Sequence, residues 1–214
     1  MTEREFKKRL TRRARTAHAP AVSAELASAL WIYFDLLFRW NAKINLTSFT
    51  EDKPDEAIDR LLVEPLIAAR YLPVPGSRVI DVGSGGGSPA IPLKLAAPAA
   101  TVVMVESKAR KSAFLREAVR QLGLTNVEVV TARVEELLTR SDLHESSDVV
   151  TLRAVRLDPK LLTGLQAFLK PGGLIFLFRT ASVQPPSWVA PPLRHRETVP
   201  AGETARLVIL EKLR

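Results

Sequence analysis

The chain has 214 residues, no cysteine and a formal net charge of +8. This length suits one domain with a small extension, and the lack of cysteine excludes disulfides, a thiolate nucleophile and cysteine-ligated metals. Hydrophobic residues at 46% and charged residues at 25% argue against wholesale disorder. Because Pro92, Lys94 and Pro98 interrupt the most apolar stretch, we expect no membrane span. A reducing, cytoplasmic location fits this composition.

The N-terminal segment is strongly basic. Residues 1–15 contain seven basic and two acidic side chains, so they carry five of the eight net charges. Two interpretations of a basic arm over residues 1–21 stay open: a solvated, frayed terminus, or a tether for the phosphate backbone of a nucleic acid. The candidate contacts in the second case are Lys7, Lys8, Arg9, Arg12 and Arg13.

Residues 22–75 are predicted to form a helical extension that packs on the larger C-terminal part of the chain. Apolar residues recur at helical spacing from Val22 to Asn41, with Ser23 at the helix start. A second helical stretch runs from Asp55 to Tyr71 and ends before Pro73. The region is too small to form an independent domain.

Residues 76–214 alternate between strands and helices. This order predicts an α/β fold with a doubly wound, Rossmann-like, mostly parallel sheet covered on both faces. Ligands bind to such sheets at the carboxyl ends of the strands. The last two strands, around Ala201-Gly202, predict an antiparallel hairpin after a proline-rich linker. The five parallel strands are predicted at residues 78–82, 101–106, 127–130, 148–152 and 174–178, and the hairpin strands at 193–199 and 206–210.

A glycine-rich loop follows the first strand and carries the functional signal. Gly83, Gly85 and Gly87 form a G-x-G-x-G pattern directly after Asp81, and glycines allow a tight turn and close approach of a ligand. The dinucleotide pattern G-x-G-x-x-G fails, and no Walker lysine follows the loop. Glu106 ends the next strand, where a carboxylate can accept the ribose hydroxyls of an adenosine.

The acid beside the loop suits a positively charged ligand better than a pyrophosphate. Together with Glu106, the Lys170-Pro-Gly-Gly173 turn and the terminal hairpin, Asp81 and its loop resemble the S-adenosylmethionine methyltransferases, whose cofactor carries a sulfonium. We expect S-adenosylmethionine as the cofactor and no metal site. The alternative is a glycine turn that serves only packing.

Four further segments narrow the resemblance. They are WNAKINLT at 40–47, DVGSGGGSPAIPL at 81–93, ARVE at 132–135 and LRAV at 152–155. Together they resemble the bacterial small-subunit ribosomal RNA guanine-N7 methyltransferase G family, also called glucose-inhibited division protein B, over about residues 22–212. The resemblance implies an enzyme that methylates 16S ribosomal RNA. Its implied partner is that RNA or an assembling small subunit, and we expect a monomer.

Site residues are assigned by this resemblance. Gly83, Ser88, Val134 and Glu135 are implied to contact the cofactor, together with the rest of the glycine loop. Arg153, after the fourth strand, is implied to face the reaction site and to contact the cofactor. The alternatives are an ion pair at the strand end for Arg153 and a solvated carboxylate at a helix start for Glu135. Arg153 and Arg179 would position the substrate without a general base, and Arg60 and Arg133 are candidates for RNA contact, although Arg133 could instead pair with a nearby acid.

The chain departs from the family on the substrate side. Members usually carry Arg-His-x-x-Asp-Ser where this chain has Leu61 and Glu64, and a lysine where it has Arg179. These departures leave two alternatives open. One is a methyltransferase for another RNA or a small molecule, and the other is a ribosome-binding protein with weakened activity.

Overall fold

In a computed structural model, the chain folds around one seven-stranded sheet; the structure describes residues 1–50, 52–155, 159–180 and 189–213. The strand order is β3-β2-β1-β4-β5-β7-β6. Strands β1 to β5 are parallel, and β7 runs antiparallel to both β5 and β6. The predicted doubly wound sheet and its C-terminal hairpin are thereby confirmed. The strands are β1 Arg78–Val82, β2 Thr101–Glu106, β3 Val127–Thr131, β4 Ser147–Arg153, β5 Leu169–Thr180, β6 Leu193–Pro200 and β7 Ala205–Lys212.

Eight α-helices are found in the described part of the chain. Two single-turn 3-10 segments, Ser141–Leu143 and Gln166–Phe168, and one π-helical turn, Asp59–Val63, accompany them. The helices are α1 Glu3–Thr16, α2 Ala24–Ile44, α3 Pro54–Ile58, α4 Glu64–Ala69, α5 Ala90–Ala96, α6 Ala109–Gln121, α7 Val134–Leu137 and α8 Pro159–Leu165.

Alternation along the strands divides the core into two layers. Val79 of β1 belongs to the apolar cluster that also contains the buried faces of α1 to α6, whereas its neighbour Ile80 belongs to the cluster on the opposite face with α8. Side chains of a strand point alternately to the two faces, and a sheet covered on both sides is therefore apolar at nearly every position. The central strands β1 and β2 are buried, whereas β3 and β6 at the two sides of the sheet are partly exposed.

The first residues form a helix that packs on the molecule, which excludes a frayed terminus, one of the two interpretations of the basic arm. Phe6, Leu10 and Ala14 of α1 recur at intervals of four residues and are buried. The ring of Phe6 contacts Trp31 and Phe34 of α2, with centroid separations of 5.3 and 5.0 Å. The helix α1 is therefore amphipathic: its basic residues surround an apolar stripe that packs against the helical extension.

One strand begins well before its predicted start. β5 begins at Leu169 rather than 174, because the register shift between Ser147 and Val149 of β4 accommodates the Lys170-Pro-Gly-Gly173 segment within the strand. Part of the predicted proline-rich linker, at Pro185 and Pro186, lies outside the described residues. Within the described residues, no helix is long and apolar enough to cross a membrane.

Candidate functional site

A cleft lies at the carboxyl edge of the sheet, where the strand order reverses between β1 and β4. Two adjoining cavities of about 230 and 270 Å³ form it, and they share the lining residues Gly83, Glu106 and Val155. Open α/β sheets bind their ligands at this switch point, because the connections leave the two strand ends in opposite directions. Part of the predicted set lines this cleft, namely Gly83, Gly85, Ser88, Glu106, Arg133, Val134, Glu135 and Arg153.

The glycine loop is shaped by left-handed backbone and by Glu106. Gly83, Gly85 and Gly87 have φ values of 73°, 51° and 84°, which disfavour any side chain. Glu106 Oε2 accepts the amide of Gly85 at 2.9 Å, and its Oε1 accepts the amide of Lys108 at 2.8 Å. One carboxylate therefore fixes both the loop after β1 and the turn after β2.

Asp81 lies beneath the loop with one oxygen unpaired. Its side chain is buried, Oδ1 accepts the Thr151 hydroxyl at 2.5 Å, and Oδ2 has no hydrogen-bond partner. Burial raises the pKa of Asp81 to about 6, against the opposing effects of the Thr151 hydrogen bond and of the Arg153 charge. A buried carboxylate with an unpaired oxygen favours a nearby positive charge, although Asp81 lines neither cavity among their described walls.

The first cavity holds the residues assigned to the adenine side. Arg133, Val134 and Glu135 line it, together with Val82, Val105 and Ala132 from the neighbouring strands. The mixture of apolar walls and a few polar groups is typical of small-molecule sites. Within the described residues, no group of three His, Asp or Glu side chains is placed to hold a metal ion.

The second cavity is bounded by the helical extension. Asn41 Oδ1 accepts the amides of Leu46 and Thr47 at 2.6 and 2.9 Å, and Asn45 ends α2 with a left-handed φ of 47°. These contacts shape residues 46–49, which line the cavity. The WNAKINLT segment thus has a structural explanation: it turns the chain back over the glycine loop.

Two other loop contacts were not predicted from the sequence. The Tyr33 hydroxyl of α2 donates to the Gly86 carbonyl at 2.6 Å. A Cβ at Gly86 would lie 3.0 Å from Leu37 Cδ1 and 3.1 Å from the Leu46 carbonyl, so a side chain at this position would crowd both residues. The helical spacing predicted that Leu37 lies on a buried face, but it did not single out Tyr33 and did not indicate what this face packs against.

The structure separates the predicted arginines. Arg153 lines the second cavity, and its guanidinium lies 4.5 Å from the centre of the Phe178 ring. Arg60 and Arg153 both pair with Glu64, at 2.6 and 2.9 Å. Arg179 is half-buried on β5, where its Nε has no hydrogen-bond partner, and it lines neither cavity among their described walls.

Most of the basic residues predicted on α1 are ion-paired. Lys7 pairs with Glu3, Arg9 with Glu5 and Asp55, Arg12 with Asp55 and Arg13 with Asp59. Lys8 is exposed and has no acidic partner within the described ranges. The charge count treated these cations as free because the acids at 55 and 59 are distant in sequence.

A second basic group, of which only Arg133 was predicted from the sequence, stands at the mouth of the cleft. Lys108 and Arg110 are exposed at the start of α6, Lys111 lines the second cavity, and Arg133 is exposed beside the first. None of the four pairs with an acid in the part of the chain that the structure describes. The run Lys108-Ala-Arg-Lys111, directly after Glu106, was the available signal.

Comparisons with known proteins identify related chains. Residues 26–185 match the family described as rRNA small subunit methyltransferase G. Proteins named ribosomal RNA small subunit methyltransferase G are 39% identical over 153 residues in Desulfitobacterium hafniense and 38% identical over 191 residues in Xylella fastidiosa strain M23. These matches cover 72% and 86% of this chain, and 62% and 85% of the relatives.

Solved structures share the fold. A SAM-dependent methyltransferase from Aquifex aeolicus has a TM-score of 0.56 at 19% identity, with 74% of this chain and 93% of that chain covered. The P. horikoshii TYW2 structure in complex with MeSAdo also has a TM-score of 0.56, at 13% identity, with 80% and 66% covered.

Proposed function

Because this chain belongs to the rRNA small subunit methyltransferase G family, we propose that it transfers a methyl group from S-adenosylmethionine to N7 of a guanine in 16S ribosomal RNA. The observation that carries the proposal is the two-part cleft at the switch point, with Glu106 on the wall shared by both cavities. We further propose that the chain acts as a monomer in the cytoplasm, on small-subunit RNA or an assembling subunit.

The residues present fit the cofactor. Glu106 would accept the ribose hydroxyls, and Val134 and Glu135 would bound the adenine in the first cavity. Gly83, Gly85 and Ser88 line the second cavity, so the loop would face the methionine part. The unpaired Oδ2 of Asp81 supports a cationic ligand above the loop. S-adenosylmethionine supplies an electrophilic methyl group on a sulfonium.

Gly87 supports the loop from inside. A Cβ at this position would lie 2.6 Å from Ile91 Cδ1, and Gly87 is buried against α5 and α6. We therefore assign Gly87 a packing role in the cofactor site rather than a direct contact.

For the RNA, we propose contacts at the mouth of the cleft. Phosphate groups would meet Lys108, Arg110, Lys111 and Arg133, which stand beside both cavities without acidic partners in the described structure. Such contacts position a nucleic acid without reading its sequence. Lys8 is the predicted α1 cation best placed to add to them, because the other four already pair with carboxylates.

Arg153 would grip the substrate beside the reacting atom, since it lines the second cavity. Arg60 would support Arg153 indirectly, because both arginines pair with Glu64. Arg179 would be reached only by a substrate that extends beyond the described cavity walls. Guanine O6 is a natural acceptor for arginine, and a grip on O6 leaves N7 free to react.

The proposed function is tested by mapping methyl groups. The purified chain is incubated with methyl-labelled S-adenosylmethionine and small subunits or their naked RNA from cells that lack this protein. Mass spectrometry of nuclease fragments should find the label as 7-methylguanosine at one position. Label in another RNA or in a small molecule would contradict the substrate. Cofactor binding without any transfer would instead favour a ribosome-binding protein.

The affinity for S-adenosylmethionine should fall as the pH drops below about 6. Burial raises the pKa of Asp81 to about 6, so below that pH the carboxyl takes up a proton and loses the charge that attracts the cofactor. Binding of the cofactor would favour the ionised form of Asp81, so the carboxyl group would release a proton when the cofactor binds near pH 6. Calorimetry between pH 5 and 7 measures the effect. Asp81→Asn should bind more weakly with a flat profile, and identical slopes for both proteins would contradict the assignment.

Binding of the RNA should become less sensitive to salt when the basic mouth is neutralised. Lys108→Gln with Arg110→Gln should lower the slope of log affinity against log salt by about 1.4 to 1.8, at roughly 0.7 to 0.9 per lost phosphate contact. Filter binding between 50 and 300 mM salt measures the slope. Lys170→Gln is the control, because Lys170 pairs with Asp148 near the amino ends of β4 and β5. A slope that stays at its original value would remove these residues from the RNA path.

A further inference from the structure

The helix between Asp59 and Ala69 is opened by Pro65. The Glu64 amide donates to the Asp59 carbonyl five residues back, which creates the π-helical turn Asp59–Val63. The Arg60 carbonyl therefore has no donor at the fourth following residue, because the Glu64 amide already bonds Asp59. It has none at the fifth either, because Pro65 has no N–H. The Leu61 carbonyl likewise loses its donor at the fourth following residue.

Both carbonyls are satisfied by side chains from the cofactor-binding half of the chain. Arg153 Nη1 donates to the Arg60 carbonyl, and Ser88 Oγ donates to the Leu61 carbonyl at 2.8 Å. Arg153 lies at the end of β4, and Ser88 lies at the end of the glycine loop. The opened helix is thus a receptor for two residues that line the second cavity.

Glu64 completes the contact with Arg153. Its side chain is 1% exposed, Oε1 accepts Arg60 Nη1 at 2.6 Å, and Oε2 accepts Arg153 Nη2 at 2.9 Å. One carboxylate therefore serves two guanidinium groups, and the buried trio keeps a net positive charge. The Phe178 ring lies under the guanidinium of Arg153. We use the term arginine socket for the Arg60 carbonyl, the Glu64 carboxylate and the Phe178 ring.

We propose that Glu64 and the π-helical turn are positioning elements for the methyl transfer, which hold Arg153 in the arginine socket on the cavity wall. A free arginine side chain loses rotamer entropy when it is fixed, and the socket fixes it before the substrate arrives. The inference rests on the proposed function, because Arg153 is the group assigned to grip the RNA. Glu64 stands where the family usually has an aspartate, and each of its two carboxylate oxygens contacts one guanidinium.

The test is Glu64→Gln, which keeps the volume and removes the charge. Under saturating substrates, kcat for guanine methylation should fall at least tenfold, whereas the Kd for S-adenosylmethionine should stay within twofold. A merely structural role would move both values. Glu117→Gln is the matched control, since Glu117 pairs with Arg120 on the surface of α6. Glu64→Asp, which keeps the charge, should recover part of the lost kcat.

A second variant guards against a misfolded Glu64→Gln protein. Pro65→Ala restores an N–H that can bond the Arg60 or Leu61 carbonyl, and alanine favours helix. This protein should stay folded and lose about threefold to tenfold in kcat. Values of kcat within twofold of wild type in both Glu64→Gln and Pro65→Ala would overturn the proposal.

Arginine NMR separates this proposal from the proposed function. In protein labelled with ¹⁵N-arginine, the Arg153 guanidinium signal, identified by its loss in Arg153→Lys, should exchange slowly with solvent. The exchange should accelerate in Glu64→Gln. If the wild-type protein transfers no methyl group to guanine but the signal responds in this way, the proposed function fails and the socket stands. A signal that stays protected in Glu64→Gln overturns the socket.

Discussion

RNA that carries 7-deazaguanine at the target position is expected to bind this protein with normal affinity and to accept no methyl group. Guanine N7 has an in-plane lone pair and no proton, so it attacks the methyl carbon directly, and replacement of N7 by carbon removes the nucleophile. The phosphates, the ribose and O6 are unchanged, so the contacts proposed for Arg153 and the basic mouth persist. Single-turnover transfer of labelled methyl groups measures the effect, which should be a loss of all detectable product.

The same chemistry predicts a rate that hardly changes with pH. No proton leaves the acceptor, so the transfer requires no general base. Catalysis would come from holding the acceptor in line with the methyl group, an effect worth up to about 7 to 11 kcal/mol. Unmodified guanine in the same RNA is the control. Methyl transfer to the deaza RNA, or a rate that rises tenfold per pH unit, would contradict attack by N7.

The sheet could be predicted from the sequence because its signals are local. β1 and β2 were predicted with their observed bounds, since each is a short apolar run bounded by turn residues. Gly83, Gly85 and Gly87 were predicted as the loop, and all three adopt the left-handed backbone that only glycine tolerates well. Backbone conformation that depends on neighbouring residues in the chain can therefore be predicted from the sequence.

Pairing between distant residues could not be predicted in the same way. The ion pairs of Arg9 and Arg13 on α1 join residues 46 positions apart, to Asp55 and Asp59. The charge count was accurate, but a count does not say which charges meet. The π-helical turn was missed because Pro65 was treated as an ordinary residue of one continuous helix, although its missing N–H changes the hydrogen bonding of the preceding turn.

The candidate site shows the same division. The converging positions of Glu106, Glu135 and Arg153 follow from the rule that parallel strands present their carboxyl ends at one edge. The role of Tyr33 and the socket around Arg153 depend on how the helical extension packs against that edge. Periodicity shows that a helix has a buried face, but it does not identify the surface that covers this face.

Replacement of Glu106 by glutamine should weaken S-adenosylmethionine binding by about tenfold to a hundredfold. The carboxylate accepts the amides of Gly85 and Lys108 and also lines both cavities. Glutamine replaces one acceptor oxygen by an NH₂ group, which would confront a backbone N–H in place of a hydrogen bond. Loss of hydrogen bonds to a charged group costs about 1.5 to 3 kcal/mol, and 1.4 kcal/mol corresponds to a tenfold change in affinity. Titration calorimetry gives the Kd directly.

Two comparisons show whether this loss belongs to the cofactor site. Glu117→Gln changes a surface glutamate of α6 and should bind the cofactor normally. Glu135→Gln against Glu136→Gln is a second matched pair, because Glu135 lines the first cavity and its exposed neighbour does not. An unchanged Kd in a folded Glu106→Gln protein would mean that the ribose hydroxyls are held elsewhere. A loss confined to Glu106 and Glu135 would identify the wall between β2 and α7 as the adenosine side of the cleft.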